Sequence, residues 1–246
     1  MELKRWYRAV REFLAMLAPT CCVACGRPDT TLCSDCAGLL EGAPMVFTLC
    51  GGEANYLDPR PWDYPICTFG EYTDRVRRLL LAVKHRDSFD ARPWLRRTGR
   101  VCGAAAGEWL RRAGLCLDEP DSVPIALVTA PSRHHSWVVA EFARAAGPQL
   151  AASLGREVMV LEDTLRLHSG SGQRGLSMRE RMGSRAGTIS AKRRLSGVNV
   201  ILLDDVVTSG ATLTEATRAL TAAGARVRAG ISLCAVIAAT TSVDTG

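Results

Sequence analysis

The sequence predicts an α/β protein: a parallel sheet with flanking helices, preceded by a small cysteine-rich unit. Three observations carry this reading. From residue 125 onward, apolar strand-like runs alternate with helical patterns, as they do when helices cover the faces of a parallel sheet. One of these runs, Val200-Ile201-Leu202-Leu203, ends in Asp204-Asp205 and turns through a small, hydroxyl-rich loop into a helix. Near the amino terminus, Cys22, Cys25, Cys33 and Cys36 form two Cys-x-x-Cys pairs.

At 246 residues the chain has room for one ordinary α/β domain and a small appendage, but not for two full domains. Hydrophobic residues at 47% and charged residues at 23% give the balance of a soluble globular protein. By composition, disorder is expected in a tail at 240–246. The net charge of +6 is unevenly placed, with Arg75, Arg77, Arg78, Lys84, Arg86, Arg92, Arg96, Arg97 and Arg100 crowded together. Such a stretch suits an anionic partner, and equally the solvated faces of amphipathic helices.

The 10 cysteines are not spread as a disulfide framework would be; four cluster and the rest stand singly. That is the pattern of a metal site in a reducing compartment. The apolar run at 13–18 is too short for a secretory core, no small-residue cleavage signature follows it, and nothing reads as a membrane span. A cytoplasmic location is the expectation.

In chain order, Leu3, Trp6, Val10, Phe13, Leu14 and Leu17 recur at helical spacing until Pro19, an amphipathic helix expected to pack on its own domain. The cysteine unit follows, and then 41–65, punctuated by Gly and Pro, reads as a linker or irregular cover. Residues 1–65 therefore form one unit and 66–239 the main domain. Within the latter, 66–72 is a strand, 75–84 a helix with Val76, Leu79, Leu80 and Val83 on one face, and 94–113 a second helix. After a loop at 120–124 come strand 125–129, helix 137–154, strands 157–161 and 198–203, helix 212–223 and strand 227–236. The segment 166–194, rich in Gly, Ser and Arg, has room for one helix near 178–185 and reads as a lid or a disordered insertion.

The polar groups of Asp204-Asp205-Val206-Val207-Thr208-Ser209-Gly210-Ala211-Thr212 all lie at the carboxyl end of a strand, where open α/β sheets bind ligands. Backbone N–H groups around 208–212 can converge on an anion at the helix amino terminus, and Gly210 permits close approach. Thr208, Ser209 and Thr212 add hydroxyl donors. Ionised Asp204 and Asp205 are acceptors only, suited to the hydrogens of a ribose diol. The loop has neither the spacing and lysine of a Walker A sequence nor the G-x-G-x-x-G of a dinucleotide site.

This segment resembles the motif with which type I phosphoribosyltransferases bind phosphoribosyl pyrophosphate (PRPP): two acidic residues after an apolar strand, then T-x-G-x-T. The resemblance implies a type I phosphoribosyltransferase-like parallel sheet, Asp204 and Asp205 on the ribose hydroxyls, and Val207 to Thr212 around the 5-phosphate. It also implies Mg2+, carried chiefly by oxygens of PRPP, which fits the cation's preference for phosphates over all-protein cages.

Four thiolates at the spacing of Cys22, Cys25, Cys33 and Cys36 can surround a tetrahedral Zn2+, and Gly26 suits the turn after the second sulfur. A cysteine knuckle ahead of a PRPP motif resembles the ComF/GntX family. Further carriers are Tyr72 with 75–84, the turn at 128–133, Gly172-Gln173 to Arg181, and 204–213. The family implies phosphoribosyl transfer from PRPP to a nitrogenous acceptor, a link to DNA uptake in competence, and competence proteins or single-stranded DNA as partners. Where relatives carry an R-G-F-N-Q-type sequence, this chain reads Ala130-Pro131-Ser132-Arg133-His134-His135-Ser136-Trp137.

Departure of pyrophosphate leaves a ribosyl cation, so charge stabilisation outweighs a strong general base. Arg133 and Lys84 are the catalytic candidates beside Asp204 and Asp205. Arg174, Arg179 and Arg181 belong either to a closing lid or to solvent. Acceptor specificity is expected in 72–113 or 166–194. Two functions stand: a phosphoribosyltransferase, or a catalytically silent accessory protein that binds PRPP, a nucleotide or single-stranded DNA.

Overall fold

The strand-like runs pair into one six-stranded sheet. The computed structural model describes residues 20–48, 64–85, 89–115, 123–132, 136–168 and 187–236. In chain order the elements are α1 (Ser34–Ala37), β1 (Met45–Thr48), β2 (Pro65–Thr68), α2 (Asp74–His85), α3 (Arg92–Arg112), β3 (Ile125–Thr129) and α4 (Ser136–Leu154). There follow β4 (Val158–Leu161), β5 (Leu165–Leu167), β6 (Ile189–Ala191), β7 (Asn199–Val207), α5 (Ala211–Ala222) and β8 (Arg226–Ala235).

The main sheet has the order β1-β2-β8-β7-β3-β4. All its pairings are parallel except β1 with β2. Both faces are covered, so the central strands are continuous apolar runs; every residue of β3 is buried. Side chains alternate along β7. Ile201 and Leu203 join Leu79, Leu95, Phe142 and Leu150 under α2, α3 and α4, while Val200 and Leu202 join Leu213 and Leu220 under α5.

The α2 to α4 layer is held tight by glycine. Gly99, Gly103 and Gly107 repeat every fourth residue on α3 and face α4. A Cβ on Gly103 would lie 2.5 Å from the Ala146 carbonyl oxygen, and one on Gly99 would lie 2.8 Å from the Ala145 Cβ. The two backbones therefore meet directly.

The cysteine unit docks on this same layer. Trp94 Nε1 donates to the Ala37 carbonyl at 3.0 Å, and Glu41 accepts from Arg97 at 2.9 Å and from Thr98 at 3.2 Å. Leu40 is fully buried, and its Cδ2 fills the space where Gly70 has no side chain.

The structure departs from the sequence reading in four places. Met45–Thr48, inside the stretch read as irregular, is an edge strand paired with β2, so the sheet draws a strand from before residue 66. The strand read as 66–72 is shorter, because the chain bends at Phe69 and Gly70 to pass Leu40. β7 extends through both aspartates to Val207, since β8 goes on pairing with it as far as Ala235. The described ends of the 166–194 segment form a two-stranded antiparallel ribbon, β5 with β6. The amino-terminal helix, the helix near 178–185 and the tail at 240–246 lie outside the described residues.

Candidate functional site

Chain direction locates the site. From β3 the chain crosses outward through α4 to β4, whereas from β7 it crosses the other way through α5 to β8. The two helices lie on opposite faces. The crevice between the carboxyl ends of β3 and β7 is thus the topological switch point, the place where open α/β sheets take ligands.

Asp204 and Asp205 stand at the end of β7 beside this crevice. Although adjacent on the strand, their two carboxyls lie close enough to interact with each other. Asp205 points toward the α2 layer, where the Lys84 ammonium in the last turn of α2 makes an ion pair with its Oδ2. Their side chains are only 15% and 21% exposed, so the pair is largely sheltered from water and screening salt. Asp204 is half-buried, and its Oδ1 accepts the Asp205 N–H at 2.8 Å. Burial, and then the neighbouring Asp205 charge, push its carboxyl up to about 7.

Around Asp204 the sheet is polar where apolar side chains would ordinarily sit. Asp204 is in register with Ser232 of β8, and Ser232 with Thr68 of β2. Tyr64, just before β2, shares a 2.8 Å hydrogen bond with Thr217 of α5. Nothing in the sequence marks Tyr64 as part of this neighbourhood, because its partner is 153 residues away.

The loop after β7 leads into an uncapped helix start. Thr208 and Ser209 are exposed, and Gly210 is buried in the left-handed conformation at φ 70°, ψ 0°, directly before α5. Gly210 accepts the first helical hydrogen bond, from Thr214 N–H at 2.9 Å. No side chain caps the helix, so the N–H groups of its first turn are available to a ligand oxygen. The loop ends are pinned, with Val236 N–H donating to the Val207 carbonyl at 2.8 Å and Ala130 N–H to that of Leu203 at 2.7 Å.

Of the sequence candidates, Asp204, Asp205, Val206, Val207, Thr208, Ser209, Gly210, Ala211, Thr212 and Lys84 are thus placed at one end of the sheet. Arg133 lies outside the described residues, as do His134, His135, Arg174, Arg179 and Arg181. Several of the arginines crowded in α2 and α3 are taken up in surface ion pairs, Arg78 with Asp74, Arg96 with Glu141 and Arg97 with Glu41.

The second site is the cysteine unit. The sulfurs of Cys22, Cys25, Cys33 and Cys36 all lie within 4.8 Å of one another. Cys25 Sγ and Cys33 Sγ are 3.7 Å apart. Tetrahedral zinc–thiolate bonds of ~2.3 Å require sulfurs about 3.8 Å apart, so the cluster fits zinc. Burial works against ionising Cys22, but N–H groups of Cys33, Cys25 and Ala24 outweigh it and bring the thiol down to about 6. The cluster thus favours at least one thiolate before any metal arrives.

Residues 142–244 match the family model of the phosphoribosyl transferase domain. That span runs from α4 through the acidic pair, the loop, α5 and β8. The described chain is thus an α/β protein with a mostly parallel sheet, part of which matches the phosphoribosyl transferase domain, and with an amino-terminal four-cysteine group that could hold a metal ion. Among solved structures, hypoxanthine-guanine phosphoribosyl transferase of L. donovani is 16% identical, with a TM-score of 0.35 over 57% of this chain and 66% of that one. Hypoxanthine phosphoribosyltransferase from Staphylococcus aureus is 15% identical, with a TM-score of 0.35 over 56% and 62%. That of Trypanosoma cruzi is 13% identical, with a TM-score of 0.38 over 60% and 76%. The chain thus spans less than two thirds of the length of the first two. No curated protein matches it. No helix among the described residues is long and apolar enough to cross a membrane.

Proposed function

We propose that the chain binds PRPP and transfers its phosphoribosyl group to a nitrogenous acceptor. One arrangement supports this above all: a carboxylate pair at the end of β7, followed by a left-handed glycine that opens α5 at the switch point. The uncapped first turn of α5 and the Thr208, Ser209 and Thr212 hydroxyls hold the 5-phosphate. The two carboxylates take the hydrogens of the ribose diol. In the transfer, the ribose C1–oxygen bond to pyrophosphate breaks as the C1–nitrogen bond forms, and the pyrophosphate carries away the electron pair. Lys84 is tethered at Asp205 in reach of this charge, and Arg133 is proposed as its companion. Mg2+, held mainly by PRPP oxygens, would neutralise the pyrophosphate; two carboxylates at the diol are compatible with its water shell.

Zn2+ held by Cys22, Cys25, Cys33 and Cys36 belongs to the same proposal, as structural metal in a cytoplasmic, reducing setting. The knuckle ahead of the motif also supports a ComF/GntX kinship and with it a role in DNA uptake. Steep loss of single-stranded DNA binding with rising salt is the test of that link.

The decisive experiment is calorimetry of PRPP with Mg2+, and of inorganic phosphate alone, on Asp204→Asn/Asp205→Asn. Loss of two charge-assisted hydrogen bonds, roughly 1.5–3 kcal/mol each, abolishes measurable PRPP binding. Phosphate needs only the loop, and with Lys84 released from Asp205 it binds as well or better. Undiminished PRPP affinity in a folded double variant would refute the assignment. Release of pyrophosphate across a panel of bases then identifies the acceptor.

A further inference from the structure

A groove of about 410 Å³ lies apart from the PRPP site, beside the carboxyl-terminal half of α5. Its first α5 residue, Arg218, is seven residues beyond Ala211, or about 10 Å along the helix axis. The turn after β6 supplies Lys192, Arg193 and Arg194, and no acidic residue lines the groove. The cations thus come from two elements distant in sequence and converge on one concavity.

Two nearby acids outside the lining pair with its cations, one buried and one exposed. Glu215 is buried and accepts from Arg218 Nε and Nη2, both at 2.8 Å, while Arg218 Nη2 also reaches the Ile189 carbonyl at 2.8 Å. These bonds fix the guanidinium and leave Nη1 uncommitted among the described residues. Lys192 is paired with Asp163, and Arg193 leans on the Thr164 hydroxyl at 3.3 Å. Ala219, Ala222 and Ala223 line the rest, so no long side chain fills the space. A solvated basic helix face has neither such a concavity nor a guanidinium locked by a buried carboxylate.

The volume falls in the range of pockets for small ligands, roughly 300–1,000 Å³. Guanidinium forks suit phosphate oxygens, and several cations in one groove match several negative charges. We propose that this groove is a second anion site for a small ligand bearing two or more adjacent phosphates, either a nucleoside polyphosphate or a free polyphosphate. The alanine floor offers a flat apolar rest for a nucleoside.

Hydrogen exchange read by peptide distinguishes this groove from the PRPP loop by location, so the test holds whether or not PRPP is the ligand of that loop. ATP and tripolyphosphate are the probes, with AMP as the control. Exchange at 189–194 and 218–223 slows with ATP or tripolyphosphate and changes little with AMP at the same concentration. Arg193→Ala/Arg194→Ala changes exposed side chains, so the fold persists, and it weakens binding at the groove by about tenfold or more, as loss of charge-assisted bonds requires. The response of 207–212 to the same probes stays as in the parent. Tighter binding of ATP than of tripolyphosphate assigns the floor to a nucleoside; equal binding assigns the site to the phosphate chain alone. Slowing confined to 207–212, or affinity at the groove untouched by the double substitution, overturns the proposal. So does tighter capture of a single-stranded oligonucleotide than of ATP at these residues.

Discussion

Asp204 carries the most information at the scale of single residues. Its folded carboxyl titrates near 7, above the usual ~4 of an unfolded chain. A group raised on folding lends stability that is fully present below the unfolded value and is lost as pH rises through the folded one. Charging Asp204 therefore works against the fold between about pH 4 and 7. Asp204→Asn removes that penalty: its Tm, relative to the parent's, rises from pH 5 to pH 8. Parallel melting curves across this range would show that Asp204 is not held in its unfavourable charge state. Gly210 is the second such residue. Its left-handed backbone makes Gly210→Ala costly by about 1–2 kcal/mol, and phosphate affinity falls with it, because the strained loop no longer presents its N–H groups in one direction. Chemical denaturation together with phosphate titration reads both effects. The residue types of this site were legible in the sequence, since an acidic pair before a glycine turn has few uses. The ion pair of Lys84 with Asp205 was not, because the partners stand 121 positions apart by their numbers and only the packing of α2 on the sheet joins them.

Among the elements, α3 and α4 make the sharpest prediction. Gly103→Ala forces a Cβ to 2.5 Å from the Ala146 carbonyl oxygen and 2.7 Å from its Cα, backbone that cannot swing aside. Overpacking of this kind costs about 1–3 kcal/mol or more, so the variant melts well below the parent. Gly42→Ala, whose added Cβ meets nothing within 4 Å, is the matched control and leaves Tm nearly unchanged. The brace on β6 gives an opposite pH signature. Burial alone would raise the Glu215 carboxyl, but Arg218 and the N–H groups of Ile189 and Gly187 outweigh it and hold it low. A depressed carboxyl stabilises above its unfolded value and loses that contribution as pH falls through the folded one. Glu215→Gln therefore loses stability at pH 7 and converges with the parent in acid, which melts at pH 7 and pH 4 check. Helices 75–84, 94–113, 137–154 and 212–223 were legible to within two residues, because their apolar stripes are long and regular. β1, β5 and β6 were not. They are three or four residues long, and their pairing depends on partners that sequence pattern does not name.

For the whole molecule, the cysteine unit and the main domain share one buried seam through Trp94, Leu40 and Glu41. Structural zinc contributes roughly 10–16 kcal/mol of apparent binding energy in small peptides, so its removal reaches beyond the unit itself. Purified protein is expected to hold one zinc per chain by elemental analysis. Chelation or Cys36→Ser lowers the Tm of the entire chain rather than of a separate small transition. A main-domain transition indifferent to metal would mean that the seam transmits nothing.

The sheet order has a consequence for how the protein is made. β8 comes last among the described strands in chain order, yet it lies in the middle of the sheet, between β2 and β7. Until it arrives, β1 with β2 and β7 with β3 and β4 are two half-sheets with open edges, and the end of β7 has no neighbour on one side. Neither half completes the ligand crevice alone. Synthesis stalled before residue 226 thus leaves a nascent chain with two sticky edges and a need for chaperone cover, while the arrival of β8 joins the halves at once.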